Sequence, residues 1–291
     1  MTGWKIGIIG GSGLYAIDAL ENPRWITIDT PWGTASDQLL TGRIGAVEFV
    51  FLPRHGRGHR LPPSQVNARA NIDALKRAGC SDIVAISAVG SLREELAPGQ
   101  FVLVDQFIDR TFARDKSFFG TGMVAHVSMA DPTCQRLSGL CADAAAAAGA
   151  TVVRGGTYLA MEGPQFSSRA ESLLYRQWGC DVIGMTAMPE AKLAREAELP
   201  YALVGMVTDY DCWRGDGEAV EVAAVIAQLM ANAEVGRDLV VQLAGLLSAE
   251  RAPSPIDTVL DSAIITAPEA RDPLLLAKLD VVCARVTAAQ R

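Results

Sequence analysis

The run Leu203-Val204-Gly205-Met206-Val207-Thr208-Asp209-Tyr210-Asp211-Cys212-Trp213 constrains this chain more than any other stretch. It follows Pro200 as an apolar, strand-like segment and stops abruptly on two carboxylates one residue apart. In open α/β sheets ligands bind beyond the carboxyl ends of the strands, so a strand that delivers acids there marks a place for chemistry. Side chains alternate along a strand, and Asp209 and Asp211 share a side if the extended conformation continues. Two acids in one cavity do not both ionise easily. Burial and the neighbouring charge keep one neutral, as a proton donor, while the other accepts hydrogen bonds. The competing interpretation is a loop with solvated acids, and Asp-x-Asp alone does not decide between them.

With 291 residues the chain has material for one large α/β domain or two small ones, and one is expected. Apolar residues at 49% and charged residues at 20% describe a globular rather than a disordered chain. A net charge of −7 argues against a general nucleic-acid or membrane-binding surface and leaves room for a local basic pocket. Six scattered cysteines without a Cys-x-x-Cys pair, and three histidines, argue against structural zinc and for reduced thiols. Met1 to Lys5 run straight into a glycine-interrupted strand rather than a signal-peptide core, and no apolar run approaches membrane-spanning length. A soluble, cytoplasmic protein is the expectation.

Residues 5–9 predict a buried strand that ends in Gly10-Gly11-Ser12-Gly13, where backbone N–H groups and the Ser12 hydroxyl can face an anion. Gly11 to Ala16 also fit G-x-G-x-x-A, with Asp29 near the acidic position of a dinucleotide site. Pro23 leaves that unit too short a helix. Short strands follow over 25–29, 39–44 and 47–52, in a meander. The last ends in Arg54-His55-Gly56-Arg57-Gly58-His59-Arg60, so that two of three histidines and three arginines fall within seven residues of an acidic chain. Guanidinium forks suit phosphate oxygens, and histidine can donate to an anion or a sugar hydroxyl. A solvated basic turn is the alternative, and a nucleic-acid patch is disfavoured because no aromatics are interleaved.

Residues 64–78 predict a helix capped by Ser64 and closed by Gly79. A buried strand over 82–86 ends in Ser87-Ala88-Val89-Gly90-Ser91, a third small-residue terminus able to converge on the same anion. Strands are expected over 101–108, 151–160 and 181–186, and helices over 133–148, 169–178, 188–198 and 219–247. The loop 109–127 is long enough to suggest a lid or a subunit contact. After Pro253 and Pro255, residues 251–291 form a helical extension that packs on the same domain, 1–250, or on a neighbouring subunit.

Several of these segments together resemble the methylthioadenosine phosphorylase family, of the trimeric branch of purine nucleoside phosphorylases. They are Gly7-Ile8-Ile9-Gly10-Gly11-Ser12-Gly13-Leu14, Arg54-His55-Gly56-Arg57, Gly90-Ser91-Leu92-Arg93-Glu94-Glu95, the run from Asp105 to Thr111, the run from Glu162 to Ser172, and Thr208-Asp209-Tyr210-Asp211-Cys212-Trp213. The likeness is collinear from about Lys5 to about Leu247, and the tail after Ser248 does not obviously match. It implies a nucleoside phosphorylase-type single α/β domain with a mixed central β-sheet flanked by helices. It further implies a homotrimer and a role in purine and methionine salvage. The implied reaction is 5'-methylthioadenosine plus phosphate giving adenine and 5-methylthioribose 1-phosphate.

By the resemblance Ser12, Arg54, His55, Ser87 and Ala88 hold phosphate, with Ser87 where many members have threonine. Met185 and Thr186 line ribose and phosphate, and Phe166 and Ser167 the base. Asp209 and Asp211 meet the adenine edge. Val222, Val225 and Ile226 wall the 5'-alkylthio pocket, and His126 falls in a region that reaches a neighbouring subunit's site. Phosphate is a co-substrate, and neither a metal nor an organic cofactor is expected, since bound phosphate supplies both charge and nucleophile. A protonated Asp209 donates to purine N7, and Asp211 accepts from the exocyclic amine, which selects 6-aminopurines. The alternatives are a methylthioinosine or broad purine nucleoside phosphorylase, a nicotinamide-dependent oxidoreductase resting on the first glycine turn, and a non-catalytic nucleoside-binding protein.

Overall fold

A computed structural model describes residues 3–11, 13–214, 222–247 and 250–288. Ser12 lies outside the described residues, as do the side chain of Val222 and the first residues of the helix expected over 219–247. In chain order the strands are β1 (Lys5–Gly10), β2 (Glu21–Ile26), β3 (Leu39–Ile44), β4 (Val47–Pro53), β5 (Asp82–Ser91), β6 (Phe101–Val104), β7 (Gln106–Asp109), β8 (Val152–Arg154), β9 (Thr157–Ala160), β10 (Val182–Gly184) and β11 (Tyr201–Asp209). The helices are α1 (Ala68–Arg77), α2 (Gln135–Ala147), α3 (Arg169–Gln177), α4 (Ala187–Glu196), α5 (Val222–Leu246), α6 (Pro273–Lys278) and α7 (Ala284–Ala288).

Four strands run parallel in the order β4-β1-β5-β11, so their carboxyl ends lie side by side. Their near-continuous apolar sequences fit burial on both faces. Alternation sorts their side chains into two cores. Ile9, Val50, Leu52, Ile83, Ala85 and Leu203 face α1 and α4, while Ile8, Phe49, Phe51, Val84, Ile86 and Val204 face α2 and α5. β2 and β3 extend the sheet beyond β4 as an antiparallel meander.

The sheet forks at β5, whose body pairs with β11 and whose end, Gly90 and Ser91, pairs antiparallel with β10. One arm continues β11-β6-β8 and the other β10-β9-β7. The single strand expected over 101–108 is therefore two, because the chain changes arms at Asp105. The strand expected over 151–160 divides likewise at Gly155-Gly156, and the two crossings are tied by Gly156 N–H donating to Asp105 Oδ1 at 3.0 Å.

Other boundaries shift for local reasons. α1 begins at Ala68, because Val66 is extended and Asn67, not Ser64, caps it by accepting from Ala70 N–H at 3.1 Å. Ser64 turns its hydroxyl to Glu162 instead. The first strand of the meander is centred earlier than expected, with an irregular register around Pro23 that an edge strand tolerates. The long loop 109–127 is partly packed down: Phe118 and Met123 are buried, and Arg114 donates to the carbonyls of Met185 and Glu162.

The tail packs on its own chain. Leu260, Ala263, Leu279, Val282 and Cys283 join the α1/α4 core, and Arg251 pairs with Asp82 and Asp257. No helix among the described residues is long and apolar enough to cross a membrane.

Candidate active site

The ends of β1, β4, β5 and β11, with the β10–α4 junction and one face of α5, enclose a cavity of about 260 Å³. Three of its sides follow from three strand termini. β1 brings Gly11, β4 brings Arg54 and His55, and β5 brings Ser87 and Ala88. Thr186 joins them from the start of α4, its hydroxyl 3.2 Å from that of Ser87 and its N–H donating to the Tyr158 hydroxyl at 3.2 Å. Gly184 permits this approach, since a Cβ there would collide with Tyr158 Oη.

Arg54 is buried and already engaged. Its Nε and Nη2 donate to the two carboxylate oxygens of Glu190 at 2.5 and 3.0 Å. Weaker contacts reach the carbonyls of Ile86 and Ile9 at 3.3 and 3.4 Å. His55 stacks on His59, and its Nδ1 lies 2.9 Å from the Leu61 carbonyl. A carbonyl only accepts, so Nδ1 carries the proton. The Nε2 of the neutral ring is then an acceptor, where the sequence suggested a donor. Burial, with Arg54 beside it, pushes His55 down to about 4 and keeps the ring neutral.

The acids close the other end. Asp209 Oδ2 accepts from the Thr208 hydroxyl at 2.7 Å, and Oδ1 accepts from Asp211 N–H at 2.8 Å. Asp211 does not arrive by strand alternation. The register slips between Val207 and Asp209, β11 ends, and Asp211 takes φ 53°, a left-handed turn that folds it back over Asp209. Gly90 leaves the space, since a Cβ there would lie 3.1 Å from Asp209 Oδ1 and 3.5 Å from Asp211 Cβ. Burial pushes both carboxyls up, against the bonds to Asp209 from Thr208 and Asp211 N–H, and for Asp211 the charge of Asp209 adds to it. Among the described residues, Asp211 Oδ2 is buried without a hydrogen-bond partner. The Ser172 hydroxyl, likewise unpartnered, lies close enough to temper the shift but not to bond.

The remaining wall is apolar. Val225, Leu229 and Ala233 present one stripe of α5 at i, i+4 and i+8, opposite Leu14 and Met206. Ile226 is half exposed and does not line the cavity. Met185 and the half-exposed Phe166 do line it. Ser167 does not: its hydroxyl lies 3.4 Å from Met161 Sδ and its carbonyl accepts from the Cys212 thiol. His126 is exposed, outside the wall, with its N–H on the Ala263 carbonyl. Glu190, Thr208 and Leu229 were missed by sequence reasoning, and His59 was read only as part of the basic turn. For Leu229 the helical spacing from Val225 was the available signal.

A buried brace holds the walls together. Arg114 donates to the carbonyls of Met185, Met188 and Glu162 at 2.6 Å each. Burial raises the Glu162 carboxyl, but Ser64, two backbone N–H groups and Arg114 outweigh it and bring it to about 2.

The profile of the Phosphorylase superfamily matches residues 5–244, which take in every strand end of this cavity. The S-methyl-5'-thioadenosine phosphorylase of Cereibacter sphaeroides is 62% identical over 97% of this chain and 98% of its own length. That of Rhodospirillum rubrum is 57% identical over 97% and 96%. A methylthioadenosine phosphorylase crystal structure from an antarctic soil metagenomic library superposes with a TM-score of 0.92 at 46% identity, covering 97% and 99% of the two chains. The Schistosoma mansoni methylthioadenosine phosphorylase in complex with adenine gives 0.82 at 38% identity, over 89% and 98%. The chain belongs to the S-methyl-5'-thioadenosine phosphorylase family of that superfamily. Coverage of 97% of the chain also takes in most of the tail, beyond the Lys5–Leu247 likeness seen in sequence.

Proposed function

We propose that phosphate binds at the Arg54 end of the cavity, the purine at the Asp209 end and the ribose between them, with no further cofactor. The enzyme is a pentosyltransferase that phosphorolyses 5'-methylthioadenosine to adenine and 5-methylthioribose 1-phosphate. A phosphate oxygen forms the bond to C1' as the C1'–N9 bond breaks, and the electron pair leaves with the purine. Asp209, whose carboxyl burial pushes up from its ordinary value, gives its proton to N7, so adenine departs neutral. The proton left on hydrogen phosphate is released, and Asp209 is reprotonated from solvent, which closes the balance.

Thr208 suits the change of state. Its one hydrogen has two acceptors in reach, the Val89 carbonyl at 3.2 Å and Asp209 Oδ2 at 2.7 Å. Pointing to Val89 it can accept from protonated Asp209, and turning to Asp209 it stabilises the carboxylate that proton transfer leaves. His55 Nε2 accepts the hydrogen of hydrogen phosphate while Ser87 and Thr186 donate to its other oxygens. Asp211 Oδ2 takes the exocyclic amine, the donor its buried position lacks. Val225 and Leu229 meet the methylthio group.

The observation that carries this reading is that Asp209 and Asp211 share one cavity with Arg54 and Ser87. Its test is adenine release from methylthioadenosine with and without phosphate. Asp209→Asn should lower kcat by about 10²- to 10⁴-fold, the worth of general acid catalysis, with a smaller change in KM. Phosphate-independent release, or an unimpaired variant, would defeat it. We also read the working form as a cytoplasmic homotrimer serving purine and methionine salvage. Exposed Phe112, Leu173, Leu174 and Trp178 support a subunit contact, and sedimentation gives the mass directly.

A further inference from the structure

Glu190 stands behind Arg54, outside the cavity wall, and both side chains are almost wholly buried. The two carboxylate oxygens take Arg54 Nε–H and one Nη2–H in a fork at 2.5 and 3.0 Å, and the Tyr201 hydroxyl donates to the same carboxylate at 3.4 Å. The remaining Nη2–H faces the Ile9 carbonyl, and one Nη1–H faces that of Ile86. Among the described residues, one of the five guanidinium hydrogens, on Nη1, is left uncommitted. A buried guanidinium without its carboxylate would carry an uncompensated charge, and without the fork its plane would be free to turn.

We infer that Glu190 is a positioning residue for phosphate. It fixes the Arg54 plane so that a single Nη1–H faces the anion, and it offsets the arginine's charge while the site is empty. The inference rests on the phosphate reading of the Arg54 end. Glu190 does not line the cavity, so its effect on phosphate is expected to run through Arg54, its partner in the fork.

The test is a double-mutant cycle read in the KM for phosphate and the KM for methylthioadenosine. Glu190→Gln keeps the shape but turns an amide N–H₂ toward the guanidinium, which breaks the fork. It should raise the KM for phosphate about ten-fold or more, the worth of a charge-assisted hydrogen bond, and leave the nucleoside KM within about two-fold. In an Arg54→Ala background the same substitution should change the phosphate KM less than about two-fold. Glu190→Asp, which keeps the charge but withdraws it by one methylene, should repeat the pattern if the glutamine variant does not fold. Arg54→Met with Glu190→Met, which removes both charges, serves as the folding control. Equal effects on both KM values, or an effect undiminished without Arg54, would overturn the inference. An Arg54→Ala enzyme with an unchanged phosphate KM would instead overturn the phosphate reading on which it stands.

Discussion

Asp211 shows how much one backbone angle decides. At φ 53° its N–H closes onto Asp209 and, among the described residues, its own Oδ2 is left buried and without a partner. An acceptor in that position favours a 6-amino group and opposes a 6-oxo group, with no proton between the oxygens. Asparagine at the same position accepts from an amine in one amide orientation and donates to a carbonyl in the other. Asp211→Asn should therefore narrow the ratio of kcat/KM for methylthioadenosine over methylthioinosine by about ten-fold or more, mainly by raising the second value. Steady-state assays with both nucleosides check it, and an unchanged ratio would remove Asp211 from the purine edge.

Among the elements, α5 and the strap 109–127 carry the clearest consequences. On α5 the cavity stripe passes through Val225 and Leu229, while Ile226 faces outward. Val225→Phe should fill the space for the 5' substituent and lower kcat/KM for methylthioadenosine at least about ten-fold, while Ile226→Phe changes it less than about two-fold. The strap is held by Glu196, which accepts from the Ser117 hydroxyl and Phe118 N–H at 2.7 Å each. Burial, opposed by those two bonds, pushes its carboxyl up to about 7. The folded state then binds the proton more tightly than the unfolded one, so this group's contribution to stability falls as pH rises from about 4.5 to about 7. Glu196→Gln, which can accept from Phe118 and donate to Ser117, should gain stability relative to the parent across that window, measured as the difference in urea midpoint at pH 5 and pH 8. A constant difference would place the strap's anchor elsewhere. The strand ends at Gly11, Arg54, Ser87 and Asp209 were legible because each is a local change from an apolar run to small or polar residues. The division of β6 from β7 was not, because only Asp105 and Gln106 separate the two apolar pieces and the cut is decided by which arm each half pairs with. Glu190 was not, because an acid in the first turn of a helix is ordinarily a solvated partner of the helix dipole, and Arg54 lies 136 residues away.

At the scale of the molecule the tail is joined to the catalytic body by both apolar and ionic contacts. Leu279, Val282 and Cys283 are buried in the core that backs β5 and β11, the strands whose ends form the cavity. Asp82, at the start of β5, takes Arg136 from α2 and Arg251 from the tail, while Glu198, just after α4, takes Arg285 and the N–H of Leu260. Arg77 of α1 reaches Asp280. A segment attached in this way has no separate core to melt, and its loosening exposes the same apolar surface that holds α1 and α4 against the sheet. Leu279→Ala opens a cavity at a fully buried position, which costs about 2–5 kcal/mol where the surroundings cannot collapse. The variant should unfold in a single transition with a lowered midpoint, the same whether followed by far-ultraviolet dichroism or by loss of phosphorolysis. An independent appendage would melt first, leaving the activity midpoint where it stands in the parent. Coincident, shifted transitions are what one shared core requires.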